Sequence, residues 1–222
     1  EGAEISSTEV RRRFYAGEDF SDIVPVATVD VLSRHQPSDF SVSFAERMKV
    51  MTCLNPLHTA LAVYGCLLSY TRISEEMKDE ELRTLITRVA YEEAMPVVVN
   101  PGIIKPEDFL NAVLTQRLPN PFMPDTPQRI ATDTSQKLAI RFGETIKAYS
   151  ASKNLDVMDL KLIPLVFAGW LRYLMAVDDE GNKFELSPDP LLDTVCPYVA
   201  GFELGKEADV EAVLKPVLEN AK

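Results

Sequence analysis

Proline does most to limit what this chain can become. Fifteen prolines are spread over its 222 residues, and four of them fall within the nine residues 119–127 (PNPFMPDTP). Each proline removes a backbone donor and fixes φ, so this stretch is neither helix nor central strand and reads as a rigid loop. Between such breaks the apolar residues keep a helical period. Residues 56–72 (PLHTALAVYGCLLSYTR) are apolar almost all round, as in a buried helix. Over 75–95, Leu82, Leu85, Ile86 and Val89 recur at three- and four-residue steps until Pro96 ends the run. Further helices are expected over 108–118, 134–150, 159–175 (through Gly169 and Trp170) and 206–220, with a turn at 178–181. Strand signals are confined to 96–100 (PVVVN) and 183–186, so the expected fold is mainly α and multi-helical.

Hydrophobic residues make up 46% of the chain, enough for a sizeable core. Lys and Arg total 23 against 34 Asp and Glu, a net charge of −11. Apart from the cluster Arg11, Arg12 and Arg13, this balance disfavours a basic face for nucleic acid. Cys53, Cys66 and Cys196 stand in apolar surroundings without CxxC spacing, which suits a reducing cytoplasm. No signal peptide and no uninterrupted apolar run of roughly 20 residues is visible, so no membrane partner is expected. The nine glycines never form G-x-G-x-x-G, and no strand–glycine turn–helix unit is available for a dinucleotide. A redox role therefore needs its cofactor to be held elsewhere.

Two constellations carry chemistry. The first is Lys49, Asn55, Pro56 and His58. Asn-Pro reads as an N-cap followed by proline at the first helical position. His58 then lies in the first turn, where the helix dipole disfavours imidazolium and a neutral ring can donate to a substrate oxygen. Lys49, six residues before Asn55, would act as a base if held out of water. One base and two donors suit oxidation of a secondary alcohol; equally, Asn55 is a plain cap, His58 a core residue and Lys49 a solvated one. The second is Arg129 and Lys137, eight residues apart after the rigid loop, with Asp133 or Thr134 capping the next helix. Two such cations can clamp hydroxyls or a carboxylate, or be ordinary surface charges. The loop is expected to line the cleft mouth and to bring Arg129 within about 15 Å of His58, since an extended six-carbon substrate spans well under that distance.

The segments MKVMTCLNPLHTALAVYGCLLSY, RLPNPFMPDTPQRIATDTSQKLAIR and AGWLRYLMAVDDEGNKFELSPDPLL, in that order, resemble the mannitol dehydrogenase and fructuronate (mannonate) reductase family over about residues 45–200. The resemblance implies the multi-helical C-terminal substrate domain of a long-chain polyol dehydrogenase, no catalytic metal, and NAD or NADP held by a Rossmann domain in a missing N-terminal half. The cofactor-binding residues are then unknown here, and the chain alone is expected to be inactive. It implies Lys49 as general base, Asn55 and His58 as donors to the reacting oxygen, and Arg129 and Lys137 as ligands of the substrate chain. The family has five positions from lysine to asparagine where this chain has six. On a continuous helix one residue turns a side chain by about 100°, so Lys49 carries over if it precedes the helix start. The substrate expected is a polyol such as mannitol/fructose, with mannonate/fructuronate a near equal. Asp125 would repel a carboxylate if it faced the site.

Residues 1–40 form an arm of a different kind, ahead of a helical substrate domain at 41–222. ISSTEVR (5–11), with Gly17 and Val24-Pro25, resembles the C-terminal end of nicotinate-nucleotide adenylyltransferases. Ser6-x-x-Glu9 is a capping box, and a helix start beside Arg11 suits an anion, although an ordinary capped surface helix is the favoured reading. A fusion, a truncated gene or an assembly artefact near 36–44 each accounts for the pairing. Two functions compete for the whole: the catalytic half of a polyol or sugar-acid oxidoreductase, and a non-catalytic helical binding or dimerisation module that lacks its cofactor domain. A nucleotide-binding arm is a third.

Overall fold

The computed structural model describes residues 7–24, 26, 29, 42–102, 104–207 and 209–219. Helix α1 (Ser7–Ala16) belongs to the arm, where Arg12 pairs with Glu9 and Glu18, and Arg13 with Glu9 and Asp22. Ser6 of the capping box and the expected boundary at 40/41 lie outside the described residues.

The body is built round one buried helix. Helix α2 (Val42–Met48) runs into a π-helical turn (Lys49–Cys53), and the chain bends at Leu54 into α3 (Asn55–Leu67). Leu57, Ala60, Leu61, Ala62 and Val63 of α3 are fully buried. The run 45–67 has the length and composition of a membrane span, but 78% of its most apolar window is buried within the fold, as in a core helix. Where the sequence suggested helix to residue 72, α3 stops at Leu67. Ser69 adopts the left-handed region at φ 60, and the amides of Ser69 and Tyr70 bond back to the carbonyls of Cys66 and Gly65. That is the usual glycine C-terminal motif with serine in the glycine position.

The 75–95 stretch also divides. Helix α4 (Ile73–Glu76) is followed by Asp79, whose carboxylate caps α5 (Glu80–Arg88) through the amides of Glu81 and Leu82; a π-turn (Val89–Ala94) and a 3₁₀ turn (Met95–Val97) complete it. Helix α6 (Pro106–Ala112) again ends in a π-turn (Val113–Arg117). After the proline-rich loop come α7 (Pro127–Ile130), α8 (Thr134–Arg141) and α9 (Gly143–Ala151), the last two divided at Phe142. Helices α10 (Leu162–Leu174), α11 (Leu192–Val199) and α12 (Val210–Leu218) close the fold.

Among the described residues neither strand expected from the sequence forms. Residues 95–97 turn as 3₁₀, and an isolated antiparallel bridge joins Val177 to Lys183. An apolar run without a neighbouring strand has no ladder to satisfy its backbone. The turn at 178–181 is present, with Gly181 at φ +87 and the Asp178 carboxylate accepting from the amides of Glu180 and Asn182.

Two buried contacts fix α10. The Glu93 carboxylate accepts from the amides of Lys161, Leu162 and Ile163 at 2.6–2.7 Å, satisfying donors that a helix start leaves open. Tyr64 of α3 donates its hydroxyl to Leu165 O at 2.8 Å, and its ring occupies the space over Gly169, where a Cβ would fall 2.7 Å from Cζ. Gly169→Ala is therefore expected to force α3 and α10 apart and cost about 1–3 kcal/mol in urea unfolding. An unchanged midpoint would show that Tyr64 moves aside freely.

Candidate active site

The first turn of α3 differs by one residue from the cap expected at Asn55. Leu54 is the cap, since its carbonyl accepts the His58 amide at 3.0 Å; Asn55 is the first helical residue and Pro56 the second. The Asn55 side chain is thus not used as a cap, and it makes no hydrogen bond among the described residues. His58 is buried at 7% exposure, its Nε2 3.4 Å from Asp125 Oδ2. Burial lowers the proton affinity of His58 well below the ordinary imidazole value; Asp125 opposes this, while Arg117, Arg141 and Arg129 reinforce it. Desolvation and three guanidinium groups outweigh one carboxylate, so the ring is neutral at pH 7 and its contact with Asp125 is not an ion pair.

Asp125 comes from the end of the proline-rich loop. Its carbonyl accepts the Ile73 amide at 3.1 Å, which anchors the loop to α4. Thr126 then caps α7 by accepting the Arg129 amide at 3.2 Å, with Pro127 in the first helical turn. That short helix intervenes before α8. Arg129 turns back to pair with Asp125, and Arg117 lies 4.0 Å from the same carboxylate. The loop thus brings Arg129 and His58 onto one buried carboxylate, well inside the separation a shared site allows. Asp125 is already engaged by these cations.

Helix α8 supplies the other charges. Asp133 precedes it in the left-handed region at φ 56 without a side-chain cap; Asp189 caps instead, accepting the Ser135 amide at 2.7 Å. Lys137 donates to the carbonyls of Ile130, at 3.2 Å, and Thr132. Burial, followed by Arg141, lowers its hold on a proton, while Asp133 and Asp189 oppose this. Arg141, one turn further, donates through Nη1 to Asn55 O at 3.3 Å and to Thr59 Oγ1. Sequence reasoning did not single out Arg141. Its spacing of four from Lys137 was the available signal, because such residues share a helix face.

Lys49 is exposed and opens the π-turn, whose Leu54 amide bonds to Lys49 O at 3.1 Å. It therefore lies inside a helical run and not ahead of it. A π-turn spans five residues per hydrogen bond where an α-turn spans four, so this turn accommodates the additional residue between Lys49 and Asn55. Together the residues offer two uncharged donors, a cationic rim and one buried carboxylate. The described residues hold no glycine turn between strand and helix, so they offer no cradle for a dinucleotide pyrophosphate.

Residues 42–218 match the family described as the mannitol dehydrogenase C-terminal domain. The chain is 59% identical over 180 residues to the D-mannonate oxidoreductase of Thermotoga maritima, covering 81% of this chain and 33% of that protein. It is 30% identical over 181 residues to mannitol dehydrogenase 2 of Saccharomyces cerevisiae, covering 80% and 34%. Among solved structures, mannitol 2-dehydrogenase of Pseudomonas fluorescens, in ternary complex with NAD and D-mannitol, superposes with a TM-score of 0.66 over 80% of this chain and 33% of that one. At 24% identity, that likeness shows the fold alone. The chain spans about a third of the length of the curated relatives it matches. Family match, identity and fold agree: the chain belongs to the mannitol dehydrogenase family and carries its C-terminal domain.

Proposed function

We propose that this domain is the substrate-side half of a nicotinamide-dependent oxidoreductase, and that its substrate is a six-carbon sugar acid of the mannonate/fructuronate kind. The observation that carries the reading is the pair of uncharged donors, Asn55 and neutral His58, side by side in the first turn of α3. Both can hold an alcohol oxygen as it gains charge without themselves being proton donors that must be reloaded. The relative in Thermotoga maritima, named for D-mannonate, favours the acid over the neutral polyol that the sequence alone suggested. Nicotinamide would supply hydride exchange, held by sequence outside the third that this chain spans.

In this reading Lys49 takes the hydroxyl proton, and Arg129 and Lys137 hold the carbon chain. Lys49 is exposed here, so its role requires the remainder of the protein to cover it. The free, buried thiols of Cys53 and Cys66, which burial pushes up to about 12, suit the reducing cytoplasm we propose for it.

The test is a chimera in which residues 42–218 replace the matching third of the Thermotoga maritima enzyme. It is expected to oxidise D-mannonate with NAD or NADP. His58→Ala in that chimera should lower kcat/KM about 100-fold or more, the loss of one oxyanion donor. A folded chimera without turnover on D-mannonate or mannitol would leave a non-catalytic helical module as the better reading.

A further inference from the structure

The cations of the site fall into two groups. Arg129 is paired with Asp125, and Arg117 shares that carboxylate at 4.0 Å. Among the described residues Lys137 and Arg141 touch no carboxylate: Lys137 donates to two carbonyls, and Arg141 to one carbonyl and one hydroxyl. Neither of the two acids that act on Lys137 pairs with it among the described residues. Asp189 accepts the Ser135 and Leu191 amides, and Asp133 acts on Lys137 without contact.

Arg141 is also only half used. Both of its recorded hydrogen bonds leave from Nη1, so the Nε–Nη2 edge has no hydrogen-bond partner among the described residues. That edge is the fork that takes a carboxylate through two parallel bonds. Desolvation lowers the proton affinity of Arg141, and nothing nearby compensates. Two partly buried cations one turn apart repel each other unless an anion joins them.

We infer that Arg141, with Lys137 beside it, is the charge reader of the site, binding the substrate carboxylate through its Nε–Nη2 edge, whereas Arg129, whose charge Asp125 already balances, holds the carbon chain without reading its charge. The inference rests on the oxidoreductase reading for its reaction but not for the anion site. It assigns the choice between sugar acid and neutral polyol to a residue anchored on Asn55 O, at the base of the helix that carries His58.

In the chimera, kcat/KM is measured for D-mannonate and D-mannitol. Arg141→Gln is expected to lose at least tenfold more on D-mannonate than on D-mannitol, mainly through KM. Arg141→Lys, which keeps the charge without the fork, should recover part of that difference, and Lys137→Met should show a smaller selective loss. Arg129→Gln should lower both substrates by similar factors. Equal losses for Arg141→Gln on both substrates, or a selective loss at Arg129 in its place, would overturn the assignment. If the chimera turns over neither substrate, the enzymatic reading fails, and calorimetric titration of this chain with D-mannonate decides the inference separately. Binding that Arg141→Gln weakens at least tenfold upholds it; absent binding, or binding indifferent to Arg141, overturns it.

Discussion

Glu76→Gln is expected to stabilise the protein at neutral and alkaline pH and to remove most of its loss of stability between pH 5 and pH 9. Glu76 is fully buried, and neither carboxyl oxygen has a hydrogen-bond partner among the described residues. It packs onto Gly65, where a Cβ would fall 2.3 Å from Oε1, and Pro127 of α7 lies over the same glycine. Burial pushes the Glu76 carboxyl up from 4.5 to about 9, and Asp79 adds to the rise. The folded protein therefore keeps a proton that the unfolded chain gives up. Below pH 4.5 both states are protonated and the group contributes nothing to the pH dependence. Above that, each pH unit removes up to about 1.4 kcal/mol, until the folded carboxyl also ionises near pH 9. At pH 7 the accumulated loss is about 3 kcal/mol.

Glutamine has the shape to fill the same space over Gly65 and carries no ionisable proton. Urea unfolding of wild type and variant at pH 5 and pH 9 checks this. The two should be close at pH 5 and diverge as pH rises. Parallel profiles would mean that Glu76 is solvated or paired in the folded protein.

Local chemistry accounts for what the sequence made legible. The Asn55-Pro56 step located the start of α3 to within one residue, because proline is favoured in the first turn of a helix. The break before α5 was not read, although Asp79, which caps that helix, is a residue type that favours such a start. The end of α3 was missed because Ser69 holds the position where glycine is the signal. Residues 97–99 are three consecutive valines, and a short apolar run does not separate strand from buried turn. The π-turn at Lys49–Cys53 left one trace, the six-residue interval where the family has five.

The site was legible as residue types and opaque as partnerships. His58, Arg129 and Lys137 stand out by spacing, but Asp125 read only as a charge hostile to a carboxylate. Its pairing with Arg129, and the 3.4 Å approach of His58 from a different helix, change its meaning from repeller to counter-ion. Arg141 reaches Asn55 across 86 positions, and Glu93 reaches Ile163 across 70. No local pattern encodes such contacts, because tertiary packing creates them.

Asp125→Ala is expected to produce the larger loss of activity, since one carboxylate holds three cationic or donor groups in register. Without it Arg129, whose side chain is 58% exposed, swings into solvent, and Arg117 loses its nearest acid. Solvation of these arginines limits the cost in stability to about 2 kcal/mol, below that of a fully buried pair. The functional cost is greater. His58 loses the one group that raises its proton affinity and the carboxylate that packs 3.4 Å from its Nε2, which makes no hydrogen bond among the described residues, so the ring is left against the arginines alone. In the chimera, kcat/KM for D-mannonate should fall by about 100-fold or more, about 3 kcal/mol in transition-state binding. Asp125→Asn keeps the shape and an acceptor oxygen but not the charge, so it should fold like wild type and still lose most of that factor. Asp125→Asn with near-normal kcat/KM would show that the carboxylate charge is dispensable and that the loop holds Arg129 and His58 by its backbone alone.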